Sequence, residues 1–311
     1  MGLDLKIGVT SWKSESAWSA DALCRQAEVA ESIGCHSFWL PENHFGDQRS
    51  MPSPLTLLAA ITGRTTRIRL GTVSYLLPIR HPLLAAEEVA VLDQLSGGRV
   101  ILGVGRGIQT AVFQAFDLPS KDKRKRFGEN LDLMRRAWAG DPVAQDNSGE
   151  PVYLAPLPVQ RPHPPIWVAA FGPLALQQVG NLGLPYLASP IETLETLQRN
   201  YQQHRDIVSE AGHNAVSVVP IMRTVFISDD STLIDSMKSS LQKVSKNLLG
   251  ESPSAVDDWA ILGDRQYVRD KLAEYQEALG VTHLIASGRL PGVGGEAVID
   301  SHKLLLECVG W

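Results

Sequence analysis

The 311-residue sequence has few cysteines and no long hydrophobic run. Its three cysteines, Cys24, Cys35 and Cys308, are too few for a disulfide framework and lack the spacing of a metal site. This scarcity predicts a reduced, intracellular protein. The first residues also lack the basic start and apolar core of a signal peptide. No run approaches the ~18 apolar residues of a membrane helix, so we expect a cytoplasmic protein that binds no membrane and no metal.

An excess of basic residues is also absent. The chain has 29 Lys and Arg against 34 Asp and Glu, a net charge of −5. Nucleic-acid-binding proteins show a basic stripe, so we expect no nucleic-acid partner. The one basic run, KDKRKR at 121–126, is interpreted as a solvated segment before a helix. The alternative is a flexible lid whose Arg124 or Arg126 reaches a phosphate or an acidic substrate.

Apolar runs typical of strands alternate with amphipathic runs typical of helices along the chain. The predicted strands are 5–10, 36–41, 68–77, 99–105, 164–172, 184–189, 216–228 and 281–287. The predicted helices are 20–34, 53–65, 81–96, 125–140, 173–183, 193–212, 231–249, 264–280 and 295–309. In helix 81–96, Leu84, Val91, Leu92 and Leu95 are placed on one face, which we interpret as scaffold packing.

This alternation predicts an α/β protein with a parallel sheet. The strands are apolar throughout, as expected where both faces of a sheet are covered, and each parallel crossover needs a helix. About eight strand–helix pairs make a (β/α)₈ TIM-type barrel. We expect one domain over 1–311, with an insertion around 141–165 and a lid around 249–263. An open doubly wound sheet is the alternative.

In a barrel, chemistry lies on the loops that follow the strands. The second strand is followed by Glu42, Asn43 and His44, which suit a general base or hydrogen-bond donor. A loop histidine without a task is the alternative. The third strand carries small residues, Gly71, Thr72 and Ser74, that leave room for a flat ligand or merely for packing.

The fourth and fifth strands end in turns that suit an anion. GVGRG after the fourth strand offers glycine backbone and the permanent charge of Arg106, but its spacing is not the dinucleotide fingerprint. After the fifth strand, Gly172 and Pro173 begin a helix whose unpaired N–H groups suit a phosphate. We hypothesise one phosphate held from both sides, the alternative being two tight turns.

Taken together, these residues resemble the bacterial luciferase-like flavin-dependent monooxygenases, a family of (β/α)₈ barrels. The resemblance is carried by WLPENHF, by residues 71–107, by PPIWVAAFGPLAL and by ILGDRQYVRDKLAEYQEALGVTHLIA. It implies an oxidoreductase that uses reduced FMN and O₂ to oxidise a small organic substrate. It also implies a separate flavin reductase and a homodimer.

The resemblance also implies a cofactor site. The family's flavin phosphate site maps to Arg106, with Gly107 beside it, and to Phe171, Gly172 and Ala175, where contact is mostly through backbone. The family commonly has a non-proline cis peptide after the third strand, as a platform for the flavin ring, and this maps to Val73 and Ser74.

The catalytic loop departs from luciferase. Its two adjacent histidines map to Asn43 and His44, so one is replaced and light emission is not expected. We predict that His44 and Asn43 hydrogen-bond the oxidant or the substrate. The deazaflavin-dependent branch shares the second histidine, but its sugar-phosphate dehydrogenases have Glu where Ile108 stands, so FMN is favoured. Deazaflavin-dependent hydride transfer is the alternative, and a non-catalytic flavin-binding subunit is the second.

Overall fold

The computed structural model describes residues 3–12, 20–46, 50–249 and 254–310. The chain divides into two compact units, the first made of Met1–Trp39 and Ala170–Trp311 and the second of Leu40–Ala169. Each unit consists of parallel strands connected by helices. The predicted α/β alternation is therefore confirmed.

The strands and helices follow the predicted order closely. The strands are β1 (Lys6–Thr10), β2 (Ser37–Leu40), β3 (Arg69–Thr72), β4 (Tyr75–Leu76), β5 (Val100–Gly105), β6 (Pro142–Gln145), β7 (Pro151–Tyr153), β8 (Ile166–Ala169), β9 (Tyr186–Leu187), β10 (Pro220–Ile227), β11 (Ala260–Gly263) and β12 (His283–Ala286). The helices are α1 (Ala20–Ser32), α2 (Pro54–Thr62), α3 (Pro82–Ser96), α4 (Thr110–Ala115), α5 (Lys123–Ala139), α6 (Pro173–Asn181), α7 (Leu194–Glu210), α8 (Ser231–Leu249), α9 (Arg265–Leu279) and α10 (Gly295–Val309).

In the first unit, the sheet is entirely parallel. β1 pairs with β2 and with β12, and β10 pairs with β12 and with β11. Gly8 of β1 has no room for a side chain, because a Cβ there would lie 2.6 Å from Trp39 Nε1. The Trp39 indole donates instead to the Ser37 hydroxyl at 2.8 Å. A glycine in this strand thus allows a large indole to pack inside the unit.

In the second unit, β5 lies at the centre of the sheet. It pairs in parallel with β3 and β4 on one side and with β8 on the other, and all its residues are buried. The Thr72 hydroxyl donates to the Gly103 carbonyl at 2.8 Å. The predicted insertion at 141–165 contains the exposed antiparallel pair β6–β7.

The predicted start of one helix was wrong, and one short helix was missed. The helix expected over 125–140 begins at Lys123, so most of the basic run forms its first turns instead of a segment before it. The short helix α4 was not predicted, because its buried pair Val112 and Phe113 is too brief to show a helical period.

The last four residues of the expected lid also differ from the prediction. Residues 260–263 form β11, whose Ala260, Ile261 and Leu262 are buried against β10, so this part of 249–263 belongs to the sheet. Three consecutive apolar residues are a weak strand signal in a sequence. Residues 250–253 of the expected lid lie outside the described residues.

Helix α3 does not pack as expected. Leu92 is buried, but Leu84, Val91 and Leu95 are 59%, 42% and 58% exposed. The buried face is instead rich in alanine, with Ala85, Ala86, Val89 and Ala90 against the unit. The interpretation that all four large residues pack on the scaffold was therefore wrong. In the part of the chain that the structure describes, no helix is long and apolar enough to cross a membrane.

The first unit contains a buried histidine without hydrogen bonds. The His302 ring of α10 is 1% exposed and meets the Trp12 ring edge-on, with 6.0 Å between ring centroids. Among the described residues, neither of its ring nitrogens has a hydrogen-bond partner. Burial lowers the pKa of His302 from 6.5 to about 4. The imidazole is therefore neutral in the folded protein at pH 7.

This histidine should make stability depend on pH. The unfolded chain binds a proton at His302 more readily than the folded chain, so the free energy of unfolding falls as pH drops from about 6.5 toward 4. Between pH 7 and pH 5 we expect this site to contribute a loss of about 2 kcal/mol. In His302→Leu, the free energy of unfolding, measured with urea at both pH values, should fall by about 2 kcal/mol less than in the wild-type protein. Replacing the exposed His213 by Gln should leave the loss unchanged, and an unaltered loss in His302→Leu would contradict the prediction.

Candidate active site

The loop after β2 carries a buried carboxylate. The Glu42 side chain is 0% exposed. Its Oε1 lies 2.6 Å from His44 Nε2 and accepts from Arg80 Nη1 at 2.8 Å. Its Oε2 accepts from the Leu76 backbone N–H at 2.9 Å. Among the described residues, these partners of the carboxylate all belong to the second unit, and together they connect the β2 loop to β4.

Asn43 and His44, both predicted as catalytic, have different surroundings. The Asn43 side-chain oxygen accepts from the Met51 backbone N–H at 2.8 Å, and the Asn43 N–H donates to the Met51 carbonyl at 3.2 Å. These two hydrogen bonds connect the beginning of the loop, at Asn43, to its end, at Met51. The His44 side chain is 7% exposed and contacts the Glu42 carboxylate. Their catalytic roles remain predictions.

An aromatic group borders His44. The His44 ring meets the Phe116 ring edge-on at 5.5 Å between centroids and lies 5.7 Å from the Phe45 ring. Phe45 and Phe116 are 67% and 41% exposed, and nearby in sequence Ile108 is 82% exposed. Large apolar side chains this exposed often mark a binding surface. The site therefore presents an apolar rim next to a polar loop.

The non-proline cis peptide predicted between Val73 and Ser74 is present. The Val73 N–H donates to the Leu40 carbonyl at 2.9 Å, which attaches this segment to the end of β2. Ser74 packs tightly on β5, because a Cβ on Gly105 would overlap its hydroxyl and lie 3.1 Å from its Cβ. Gly105 thus lets the Val73–Ser74 segment approach the end of β5.

Positive charge concentrates where β5 ends. Arg106 is 8% exposed and its Nη2 donates to the Ala169 carbonyl at 2.8 Å. Burial, and then the charge of Arg124, lower the pKa of Arg106 to about 10. Lys123 Nζ donates to the Gly107 carbonyl at 3.2 Å. Arg126 donates to the Pro78 carbonyl at 2.9 Å, whereas Arg124 lies close enough to Arg106 to lower its pKa.

The predicted phosphate turn of the first unit begins α6. Gly172 precedes the helix at φ 82°, and apart from its chain neighbours no atom of the described residues lies within 4 Å of where its Cβ would stand. Phe171 is 60% exposed. The Ala175 N–H donates to the Gly172 carbonyl at 3.1 Å, within the first turn of the helix. Arg106 and Gly107 belong to the second unit, so the phosphate site that would join these residues remains a prediction.

A cavity of about 320 Å³ lies beside this turn in the first unit. It is lined by the turn, by the first half of α7 and by neighbouring residues, namely Phe171, Gly172, Pro173, Ile191, Glu192, Thr193, Thr196, Asn200, Gln203 and Ser254. Glu192 is 7% exposed and accepts from the Ser189 N–H and from Asn200 Nδ2, both at 2.8 Å. Burial raises the pKa of Glu192.

Two buried glutamates have arginine partners that the sequence pattern does not reveal. Glu192 was not singled out, and Glu42 was noted without its partner Arg80, which lies 38 residues away. Arg223 of β10 is 0% exposed and holds the Glu192 loop through the Ser189 and Glu192 carbonyls, each at 3.0 Å. An arginine inside an otherwise apolar predicted strand was the available signal, because a buried charge requires partners.

Comparison with known proteins gives a family match for most of the chain. The model of a family described as luciferase-like monooxygenases matches residues 2–237. An uncharacterized protein of Sinorhizobium fredii, y4vJ, is 30% identical over 68% of this chain and 62% of its own length. The oxygenase component of the flavin-dependent trigonelline monooxygenase of Acinetobacter baylyi is 30% identical over 58% of this chain and 52% of its own length. The chain thus spans about half to three fifths of these curated relatives.

Solved structures match over nearly the whole chain. The monooxygenase RslO1 of Streptomyces bottropensis is 26% identical, with a TM-score of 0.81 over 97% of this chain and 98% of that one. The FMN-bound oxygenating constituent of 3,6-diketocamphane monooxygenase from Pseudomonas putida has a TM-score of 0.80 at 19% identity, covering 98% and 97%. An F420-dependent secondary alcohol dehydrogenase has a TM-score of 0.78 at 18% identity, covering 98% and 99%. The predicted fold class, that of luciferase-like barrel proteins, is therefore confirmed.

The close approach at Gly105 yields a prediction about stability. Gly105→Ala should lower the free energy of unfolding by about 1–3 kcal/mol, because the added methyl overpacks against Ser74. Gly63→Ala is the matched control. Its backbone φ is −76° with nothing within 4 Å of a Cβ, so little loss is expected. In a Ser74→Gly background the Gly105→Ala loss should shrink. Equal losses in both backgrounds, measured by urea unfolding, would exclude this contact as the cause.

Proposed function

Because the chain belongs to the luciferase-like monooxygenase family, we propose that it is the oxygenase component of a two-component flavin-dependent monooxygenase. A separate flavin reductase would supply reduced FMN, and the chain would use it with O₂ to oxidise a small organic substrate. The observation that carries the proposal is the buried Arg106 at the end of β5, with Lys123 and Arg124 beside it.

The residues of the second unit fit a flavin phosphate. Burial, and then the charge of Arg124, lower the pKa of Arg106. Because the two cations repel each other, a phosphate dianion between them would offset that repulsion. Lys123 would add a third charge from the first turn of α5. In the first unit, the open space at Gly172 would allow backbone N–H groups to approach the same phosphate. We propose Arg106, Gly107, Phe171, Gly172 and Ala175 as its binding residues.

The remaining predicted residues would serve the flavin ring and the substrate. When bound, reduced FMN supplies the electrons for activating O₂. The Val73–Ser74 segment would support the ring, and His44 would donate or accept a proton beside it, with Asn43 shaping the loop. The exposed Phe45 and Phe116 next to His44 favour an apolar substrate. We further propose that the whole chain forms one (β/α)₈ domain.

A deazaflavin is the alternative cofactor. The fold is shared with F420-dependent enzymes at TM-scores of 0.77 and 0.78. Hydride transfer would then replace oxygenation. Ile108, 82% exposed near the end of β5, offers no acid at the position where the family's sugar-phosphate dehydrogenases have Glu. This favours FMN, and a titration with each cofactor decides between them. Turnover with reduced FMN and O₂, if measured, would exclude the second alternative, a non-catalytic flavin-binding subunit.

The phosphate assignment predicts a selective loss of affinity. Arg106→Gln should weaken FMN binding about 10- to 100-fold, because one charge-assisted contact to phosphate is lost. Binding of riboflavin, which lacks the phosphate, should change less than about twofold. Lys125→Gln removes an exposed cation of the same helix region and should change neither. Fluorescence titration checks all three. Equal weakening of FMN and riboflavin, or F420 binding without FMN binding, would contradict the proposal.

We also propose a homodimer formed through α3. Leu84, Val91 and Leu95 are spaced to share one helix face and are all exposed. A face with three large exposed aliphatic residues at this spacing suits an interface between two copies of the same helix. Its outer rim carries the exposed Glu87 and Gln94.

Changing this face should therefore change the oligomeric state. Leu95→Glu should convert a dimer to a monomer at micromolar concentration, because the interface would have to bury an unpaired carboxylate. Val152→Glu alters an exposed apolar residue of β7 and should leave the dimer intact. Sedimentation velocity distinguishes the two. A monomeric wild-type protein, or a Leu95→Glu variant that still dimerises, would refute the proposed interface.

A further inference from the structure

We propose that Glu42 is a positioning residue that holds the His44 imidazole with its proton on Nε2. Nδ1 is then the atom that exchanges protons during the reaction. The bonds around the carboxylate imply this assignment, which does not require the cofactor to be known. The functional consequence rests on the proposed function, because it concerns the residue we place beside the flavin.

The first step is the state of the carboxylate. Arg80 Nη1 can only donate, and it reaches Glu42 Oε1 at 2.8 Å. The Leu76 backbone N–H can also only donate, and it reaches Oε2 at 2.9 Å. Both oxygens therefore act as acceptors, as in an ionised carboxylate. The side chain is 0% exposed, so these protein groups replace the hydration that the charge has lost.

The second step is the position of the imidazole proton. His44 Nε2 lies 2.6 Å from Oε1, the same oxygen that accepts from Arg80. Because this oxygen is an acceptor, the proton between the two atoms belongs to Nε2. Nδ1 is then the nitrogen that carries a lone pair in the neutral ring. A carboxylate that orients a histidine and selects its tautomer is a recurrent catalytic arrangement.

The third step is the rigidity of the arrangement. Arg80 Nη1 also donates to the Leu76 carbonyl at 2.8 Å, and its guanidinium lies 3.8 Å from the Tyr75 ring centroid. The Tyr75 hydroxyl donates to Glu88 Oε2 at 2.8 Å. Burial raises the pKa of Tyr75, so its hydroxyl stays protonated. The Phe116 ring packs edge-on to His44. The imidazole is thus held by a carboxylate and by an aromatic ring.

The tautomer can be measured in the wild-type protein without any substitution. In the full-length protein labelled with ¹⁵N, long-range ¹H–¹⁵N correlations report which ring nitrogen of each neutral histidine carries the proton. The His44 signals are identified by their loss in His44→Asn. We expect Nε2 protonated and Nδ1 bare, both before and after FMN is added. A proton on Nδ1 overturns the proposal.

The role of Glu42 is then tested with an isosteric variant. Glu42→Gln cannot accept from both Arg80 and Leu76, because one of its two terminal atoms is a donor. We expect the His44 signals of this variant to show a mixture of the two tautomers instead of one. With reduced FMN and O₂, kcat should fall about 100-fold, while FMN affinity stays within about twofold of wild type. Glu129→Gln, which neutralises an exposed glutamate of α5, should change none of these quantities.

The outcomes separate the two proposals. If Glu42→Gln leaves the His44 signals or kcat unchanged, Glu42 is not a positioning residue. If the wild-type protein neither binds FMN nor turns over with it, the proposed function fails, while the tautomer measurement still decides the first claim. If Glu42→Gln does not fold, the wild-type spectrum alone carries the decision.

Discussion

The buried carboxylate of Glu42 is the constraint on which the second unit's site depends. A charge with a 0% exposed side chain is costly unless protein groups replace water around it. Here the replacement comes from Arg80, His44 and the Leu76 N–H. His44 belongs to the loop after β2, whereas Leu76 and Arg80 belong to the segment after β3, so the hydrogen bonds of one carboxylate set the positions of both segments together. The position of the His44 loop and the conformation of the segment after β3 therefore depend on each other.

The same segment is constrained from the side of β5. Ser74 lies against the end of that strand, where only the missing side chain of Gly105 makes room. The next residue, Arg106, is the first of the cations near the end of β5, the others being Lys123 and Arg124. A larger residue at 105 would displace the Val73–Ser74 segment, and with it the Leu76 N–H that the Glu42 carboxylate needs. The close approach of Ser74 to Gly105 thus brings the predicted platform of the flavin ring next to Arg106, the first of the predicted phosphate residues.

Local features of the fold could be predicted from sequence, because periodicity and end signals are local. Helix α8 has the predicted bounds, and the cis peptide at Val73 lies where the family resemblance placed it. Features that depend on distant residues could not. The partner of Glu42 lies 38 residues away. The helical period of α3 shows that Leu84, Val91 and Leu95 share a face, but it does not show that this face is exposed to solvent. The strand β11 exists because β10 offers it an edge.

The candidate site shows a similar division between residue identity and residue state. Sequence pattern and resemblance were enough to single out His44 and Arg106, because both follow apolar strands in loops of unusual composition. What each residue can do is decided by its surroundings. Arg106 is a buried cation next to a second one, so its pKa falls to about 10 and an anion becomes the favourable neighbour. His44 Nε2 lies 2.6 Å from the buried Glu42 carboxylate, so this nitrogen is engaged within the loop. The surroundings thus give each residue a defined partner that its place in the sequence alone could not show.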